Sequence, residues 1–357
     1  YRTGRVKALG MREGYEGSQD YDLLLRYTSG LSDETIFHIP YPAYRWRRDG
    51  KSFSAQHMDR ATDAARRAIS QAFGNVPVRP SPIIPGLHRL AFEERERVWP
   101  KVSVIIANLN APTLVRQVVE GLIERTDYPA LQLVIVDNGS SHPDTLAFYR
   151  ELTDSAHDVR IDIRKALFNF SRAVNRGAAL GDGELILLIN NDIEILNRDW
   201  LKEMVACLDY GNVAVVGAKL LYPTRLTQHV GVMVGFGNYA GHWYLDQPAN
   251  FPGPMGRLAV RQALTAVTGA CFLTTRSCWD ELGGFDETNF KIAYNDIDFC
   301  LRAREKGYRI IWTPFASLIH HESATRGSDE TLENRERFET EKANLDRRHG
   351  TIGYADV

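Results

Sequence analysis

Cysteine is scarce in this chain: four in 357 residues, at Cys207, Cys271, Cys278 and Cys300. No two form a CxxC pair, and each lies among apolar neighbours. That excludes a disulfide framework or a zinc ribbon and reads as buried reduced thiols, the habit of a cytoplasmic protein. Long hydrophobic runs are missing too. No apolar stretch approaches the ~20 residues that crossing a bilayer needs, so a membrane association would be peripheral, at the inner face of the cytoplasmic membrane. Nor is there an excess of one charge: a formal net charge of −2 offers no basic field for nucleic acid. A GxGxxG turn is lacking after the first strong strand, where the chain has "ANLNAP". This argues against a nicotinamide-dependent oxidoreductase.

What is present is a core. Apolar residues make up 44% of the chain and charged ones 25%. That is the balance of a globular protein of two or three domains, or of one large α/β domain with an appendage. The plainest punctuation is "NVPVRPSPIIPGLHRL" (75–90), where four prolines and a glycine separate more regular stretches. Proline fixes φ and removes a backbone donor, so a linker is expected over 75–100. Beyond it, "KVSVIIANLN" (101–110), "LQLVIVDNGSS" (131–141) and "LILLINNDIEIL" (185–196) read as buried strands. Helical spacing of apolar residues marks 113–126, 169–183 and 198–210. Strands that are apolar throughout, alternating with helices, predict a mostly parallel sheet covered on both faces. Residues 211–265, rich in Gly, Pro, Tyr and Trp, read as short strands and loops forming a wall beside it. A strand and short helix are expected over 268–287, then a helix and strand over 295–312, with Asn295 or Asp296 as cap. A charged helical tail closes the chain over 329–357.

Two stretches echo each other. "GSQDYDLLLRYTSG" (17–30) and "YNDIDFCLRAREKG" (294–307) share Asp-x-Asp, an apolar run and an Arg in the same order. Downstream, "IFHIPYPAYRWRRDGKS" parallels "IIWTPFASLIHHESATRG". The echo predicts that residues 1–74 are the carboxyl-terminal part of an upstream copy of the domain that follows. The opening "YRTGRVKALG", with neither an initiator Met nor a polar tail, fits a piece of something longer.

The segments "VSVIIANLN", "VIVDNGSS", "FNFSRAVNRGAALGDGELILLINNDIEIL", "GHWYLDQP", "AVTGACFLTTR", "GGFDE" and "YNDIDFCLRAREKGYRIIWTPFASLIHHESATRG" follow one another over 101–327. In that order and spacing they resemble the family-2 glycosyltransferases of GT-A type. The likeness is closest to the multidomain bacterial enzymes that build O-antigen and related surface polysaccharides. It implies a GT-A fold over 101–328, a mostly parallel sheet flanked by helices, preceded by the partial copy. It also implies metal-dependent, inverting transfer of a sugar from a UDP- or dTDP-sugar to a hydroxyl of a glycan or lipid-linked glycan. The alternative is a catalytically silent sugar-nucleotide or glycan-binding module of a polysaccharide assembly complex. The presence of both Asp192 and Asp296 favours the enzyme, because a binding module has no need of a base.

The chemistry can be stated independently. Breaking a glycosidic bond to a diphosphate builds negative charge on the leaving group, which a divalent cation, Mn2+ or Mg2+, neutralises as a Lewis acid. Such a cation takes carboxylate, amide or imidazole ligands at a rigid position. Asn190-Asn191-Asp192 stands where the family has its Asp-x-Asp metal motif, with Asn in place of the first Asp. The resemblance adds His320 as a further ligand ahead of His321, and Arg326 on the diphosphate. It places Asn108, Asn110, Asp137, Asn169 and Asn175, with Asn191, on the nucleotide, Asp137 against the pyrimidine. Asn175 could equally cap its helix. Asp296 matches the catalytic base that takes the proton of the attacking hydroxyl. At a helix start the dipole should hold it ionised and lower its basicity. Asp298 is expected to be structural, paired with Arg302 one turn on. Gly269 and Ala270 would let the chain pass close to a sugar, with His242, Trp243 and Tyr244 as stacking surface.

Overall fold

The computed structural model describes residues 1–32, 35–37, 39, 41–45, 56–322 and 332–354. They divide into two compact units, Tyr1–Glu96 and Arg97–Val357.

In the first unit, helices Thr3–Leu9, Gln19–Thr28 and Met58–Ala72 precede a hairpin of β1 (Val78–Pro80) and β2 (His88–Leu90). Ala61, Ala64, Ala65, Ala68 and Ile69 line the buried face of the third helix. Side chains this small let it pack closely on Tyr15 and Leu25. The proline-rich stretch expected as a linker is this hairpin, joined to the first unit. In a two-stranded sheet both strands are edges, where a proline removes no ladder bond.

The second unit is built on a ten-stranded sheet, and each of its strands has a reason in the sequence. The strands are β3 (Val102–Asn108), β4 (Leu131–Asp137), β5 (Val159–Ile163), β6 (Leu185–Ile189), β7 (Ile193–Ile195), β8 (Val213–Leu221) and β9 (Thr227–His229). After a separate small hairpin of β10 (Val232–Val234) and β11 (Ala240–His242) come β12 (Gln262–Leu264), β13 (Cys271–Thr275) and β14 (Arg309–His320). The order across the sheet is β12-β14-β8-β13-β6-β3-β4-β5, with β7 on β14 and β9 on β8. β3, β4, β5, β6, β8 and β14 run one way; β13 lies antiparallel between β6 and β8.

Alternate residues of a strand serve opposite faces, and both faces are covered, which is why the strands carry no polar stripe. Val104, Ile106, Leu185 and Leu187 pack with helices Pro112–Glu124 and Trp200–Ala206 through Val115, Val118, Leu122, Trp200 and Met204. Ile105, Val134, Ile186 and Leu188 pack on the other side with helices Phe170–Leu180, Arg276–Leu282 and Asn295–Glu305 through Val174, Trp279 and Phe299. Gly177 lets the first of these helices lie against Ile105 and Val136, where a Cβ would collide.

One expectation changes, and the charged tail, open between a solvated face and a packing arm, is the latter. The region 211–265 contributes a buried nine-residue strand, β8, in the middle of the sheet. Gly217, Ala218 and Lys219 broke its aliphatic run, yet Gly217 is there because Val267 leaves no room for a Cβ. The charged tail, helix Leu332–His349, docks on the second unit: Leu345 is buried, and Glu341 accepts N–H groups of Lys291 and Ala293 at 3.1 and 2.7 Å. All four cysteines are buried thiols. Among the described residues no helix is long and apolar enough to cross a membrane.

Candidate functional site

The strand ends of β3, β6 and β14 and the start of helix Asn295–Glu305 border one cleft of about 710 Å³. β6 stops at Ile189, and Asn190, Asn191 and Asp192 make the turn into β7. The Asn190 N–H donates to Ala270 O at 3.0 Å, continuing the pairing of β6 with β13. β14 pairs His320 with Ile193, and the His321 N–H donates to Asp192 O at 3.0 Å. Residues 130 positions apart in sequence thus become neighbours at the cleft floor.

The His320 ring is oriented from behind. Its Nδ1 lies 2.7 Å from Gln228 Oε1, while Gln228 Nε2 donates to Glu322 Oε2 at 3.0 Å. An amide that donates to a carboxylate must present its oxygen on the other side, so Nδ1 of a neutral His320 carries the proton. Nε2 then has a lone pair, 3.1 Å from Asp192 Oδ1 and 3.2 Å from Asn190 Nδ2. A lone pair facing a carboxylate oxygen is an arrangement that wants a cation, and an imidazole fixed through its far nitrogen is how metal-binding histidines are held. Asn190 can offer its amide oxygen by turning over. These residues fit a hard divalent cation with room for substrate oxygens. Among the described residues no three His, Cys, Asp or Glu side chains converge; the cluster has two, with an amide as third. His321 is turned to Glu194, at 3.7 Å.

Asp296 borders the same cleft. The backbone enters its helix through Tyr294 at φ +61°, and neither Asn295 nor Asp296 caps the helix. Instead Asn295 donates to Ile292 O at 3.0 Å. Asp296 accepts from the N–H of Gly269 at 2.6 Å and of Ile297 at 2.8 Å. Consecutive residues, Gly269 and Ala270, therefore hold the Asp296 carboxylate and the Asn190 backbone, which is how the two acidic positions come to share one cavity. The expectation of lowered basicity is reversed. Burial pushes the Asp296 carboxyl above the ordinary carboxylate range, outweighing the Gly269 and Ile297 donors that favour its charge.

Asp298 is fully buried and accepts from Arg302 Nε at 2.8 Å, as its spacing predicts, and from Arg348 and His349 of the tail helix at 2.7 and 2.9 Å. Arg302 continues to the carbonyls of Leu282 and Gly284. Burial opposes its charge, but His349, Arg302 and Arg348 hold Asp298 below the usual range. It latches the helix that presents Asp296.

Several residues expected on the nucleotide lie elsewhere. Asp137 is buried, with its carboxylate occupied by Gly139 N–H, the N–H and hydroxyl of Ser140, and the Tyr149 hydroxyl, so it does not open on the cleft. Asn110 receives the N–H groups of Ser141 and His142 and holds a loop. Asn169 caps helix Phe170–Leu180 by accepting from Arg172 N–H at 2.9 Å. Asn175 clamps the "GGFDE" loop through Phe285 N–H and O and the Glu287 carboxylate, rather than capping its helix. Asn108 and Asn191 do border the cleft, joined by a 2.8 Å hydrogen bond. Trp243 and Tyr244 stack on each other in the core, with Arg257 over Trp243; of that trio only His242 reaches the cleft. Arg326 lies outside the described residues.

Sequence reasoning missed Gln228, His229, Glu322, Phe168 and, from the tail helix, Arg337, all of which border the cleft. A signal existed for the first two: Thr227-Gln228-His229 is a polar triplet between apolar runs, and all three residues are buried. Buried polar groups need partners and mark built networks.

A family model described as "Glycosyltransferase like family 2" matches residues 100–339. The chain belongs to that family. Among relatives of this family-2 chain, the protein y4gI of Sinorhizobium fredii is 39% identical over 359 residues, 98% of this chain and 39% of that protein. The O-antigen biosynthesis protein RfbC of Myxococcus xanthus is 35% identical over 324 residues, 90% of this chain and 25% of RfbC. The chain thus spans well under half the length of either relative. The solved structure of GalNAc-T7 with UDP, GalNAc and Mn2+ shares the fold at a TM-score of 0.53 and 17% identity, over 73% of this chain and 52% of that one.

Proposed function

We propose that this family-2 domain is a metal-dependent inverting transferase. It would move a sugar from a nucleotide-diphosphate sugar to a hydroxyl of a glycan or lipid-linked acceptor in surface polysaccharide synthesis, at the cytoplasmic face of the membrane. The carrying observation is the pairing of a cation-seeking cluster, Asp192, His320 and Asn190, with the part-buried carboxylate of Asp296 in one cleft. When bound, a divalent cation would neutralise the departing diphosphate. The rest is the chain's own work. Asp192 and His320 hold the cation, and Asn108 and Asn191 fix the rim of the nucleotide end. Phe168 and Leu109, both part-exposed there, offer an apolar platform for the base. Asp296 takes the proton of the acceptor hydroxyl, and its raised basicity suits that step. The O-antigen role of RfbC, and the UDP and Mn2+ bound to GalNAc-T7, support this reading and choose the first ligands to try.

We also propose that residues 1–74 derive from a second copy of the same domain. Arg26 donates to buried Asp22 at 2.9 Å and to the carbonyls of Leu9 and Gly10. Arg302 does the same with Asp298, Leu282 and Gly284. A chance sequence match would not carry the same hydrogen bonds.

Calorimetric titration of Mn2+ or Mg2+ with UDP and dTDP, on wild type and Asp192→Ala, separates the enzyme from a silent module. Screening sugar nucleotides for metal-dependent hydrolysis or transfer then names the donor. Nucleotide binding that ignores both metal and Asp192 would overturn the proposal.

A further inference from the structure

Two histidines outside the proposed metal cluster are wired to each other. His229 ends β9 and is fully buried; His242 ends β11 at the cleft wall. Their Nδ1 atoms are 3.0 Å apart, with the rings edge-on at 89°. Two imidazole nitrogens at this distance share one proton, and the backbone decides which ring holds it. The Thr268 N–H donates to His229 Nε2 at 3.4 Å, so that nitrogen is an acceptor. A neutral His229 must then carry its proton on Nδ1 and donate it to His242 Nδ1. That leaves the His242 proton on Nε2, the nitrogen remote from His229.

Neutrality is supported by the surroundings. Burial holds His229 well below the usual imidazole value, with His242 and His320 pushing the same way. His242 is exposed on the cleft side, and its tautomer is set by the 3.0 Å contact with His229 Nδ1, which has room for one proton. His242 and Asp296 line the same cleft. His242 is turned to the cavity, while its neighbours Trp243 and Tyr244 are committed to the core.

Resting on the transferase reading, we propose that His242 is an acceptor-positioning residue: its Nε2–H donates to an oxygen of the acceptor sugar beside the hydroxyl that Asp296 deprotonates, and His229 sets the tautomer that makes this possible. The acceptor class follows: a sugar with an oxygen neighbouring the attacked hydroxyl, as a vicinal diol or ring oxygen provides. A donor aimed at that neighbour sets register without competing for the Asp296 carboxylate.

Two measurements test this on the full chain. Nitrogen-15 NMR of the imidazoles at neutral pH is expected to show His229 as Nδ1–H and His242 as Nε2–H, with His242 becoming a tautomer mixture in His229→Phe. Titration with octyl glycosides of glucose, galactose and rhamnose is expected to shift the His242 Nε2–H signal. His242→Phe should bind the responsive glycoside roughly tenfold more weakly, as loss of one net hydrogen bond gives. His242→Gln, whose amide reaches the same place, should restore most of it, and UDP affinity with Mn2+ should change less than twofold in both. His242 found as Nδ1–H, no glycoside response in the wild type, or unaltered glycoside affinity in His242→Phe would each overturn the proposal. Failure of the transferase reading would show separately, as absence of metal-dependent UDP binding.

Discussion

Gln228 makes no contact with substrate in the proposed reaction, yet its removal should be felt at the metal. Its side-chain oxygen holds His320 Nδ1–H at 2.7 Å. In Gln228→Leu that buried donor is left unsatisfied, a penalty of about 1–3 kcal/mol. The ring escapes it by moving the proton to Nε2, where Asp192 Oδ1 waits 3.1 Å away. The new His320–Asp192 hydrogen bond then occupies the lone pair and the carboxylate that the cation needs. Losing such a supporting residue typically weakens metal affinity by about 10–100-fold, or about 1.4–2.7 kcal/mol at about 1.4 per tenfold. The assay is calorimetric titration of Mn2+ in the presence of UDP. The control is Gln228→Glu combined with Glu322→Gln, which keeps an acceptor at Nδ1 and, with donor and acceptor exchanged, the 3.0 Å contact behind it; affinity should stay within about threefold of wild type. If Gln228→Leu binds Mn2+ as tightly as wild type, His320 is not a ligand and the cluster has been misread.

Asp296→Asn should lower the transfer rate by ~10²–10⁴ if Asp296 is the base, while calorimetry finds Mn2+ and UDP bound as before. Burial raises its pKa, so the acid limb of the rate profile should lie above the ordinary carboxylate range, with the rate growing as pH rises through it. Asp298→Ala strands Arg302, Arg348 and His349 in a buried site and should cost ~3–5 kcal/mol in denaturant unfolding. Because Asp298 is held below its unfolded value, the stability it confers is full above the unfolded carboxyl pKa. It should drain as pH falls through the folded one, a slope that Asp298→Asn should flatten. Asp22→Ala should loosen helix Gln19–Thr28 by ~2–4 kcal/mol, since Arg12 and Arg26 both lose a buried partner. Hydrogen exchange of that helix reads it, and unaltered protection would count against a latch.

The fold was legible where the physics is local. "VSVIIAN" and "LILLI" are aliphatic because helices cover both faces of the strands, and helical spacing over 113–126 marks a helix whose buried side packs on β7. What failed was position in the sheet. β8 hid behind its own glycine and lysine, Gly217 being explained by Val267 and Lys219 by the Ala249 carbonyl it donates to, both far along the chain. The site divides the same way. That a strand end would deliver Asp192 to a cleft could be read from an apolar run ending in polar groups, but the same reading applied to Asp137 failed, and Asp296 comes from a helix start. Which asparagines face that cleft could not be read. Asn169 and Asn175 sit on helix Phe170–Leu180, and their partners come from residues 285–287 and the helix's own first turn. An amide carries no sign in sequence of whether its partner is a ligand or the protein itself. Gln228 and His229 were legible in kind, as buried polar residues, but not in role, because their partners lie on β14 and β11.

The two copies of the Asp-x-Asp stretch show that its carboxylates have separable tasks. Asp22 and Asp298 each bind an arginine one turn on that reaches the loop before the helix, and Asp298 adds Arg348 and His349 of the tail helix. The arginine and the loop are present in both units, and in both the latch is formed. Asp20 and Asp296 differ. Asp296 is part-buried and accepts the N–H of Gly269, just before β13, which β6 and β8 place. Asp20 stands exposed in a unit whose described strands are the short β1 and β2. Desolvation at the sheet makes Asp296 the stronger base that a proton acceptor needs. On the proposal of a duplicated domain, the helix–loop latch is therefore the part both units share, and basicity is conferred by the sheet. On that proposal the Asp-x-Asp motif alone does not make a base; the surroundings that desolvate Asp296, against the lowering effect of the Gly269 N–H, do so.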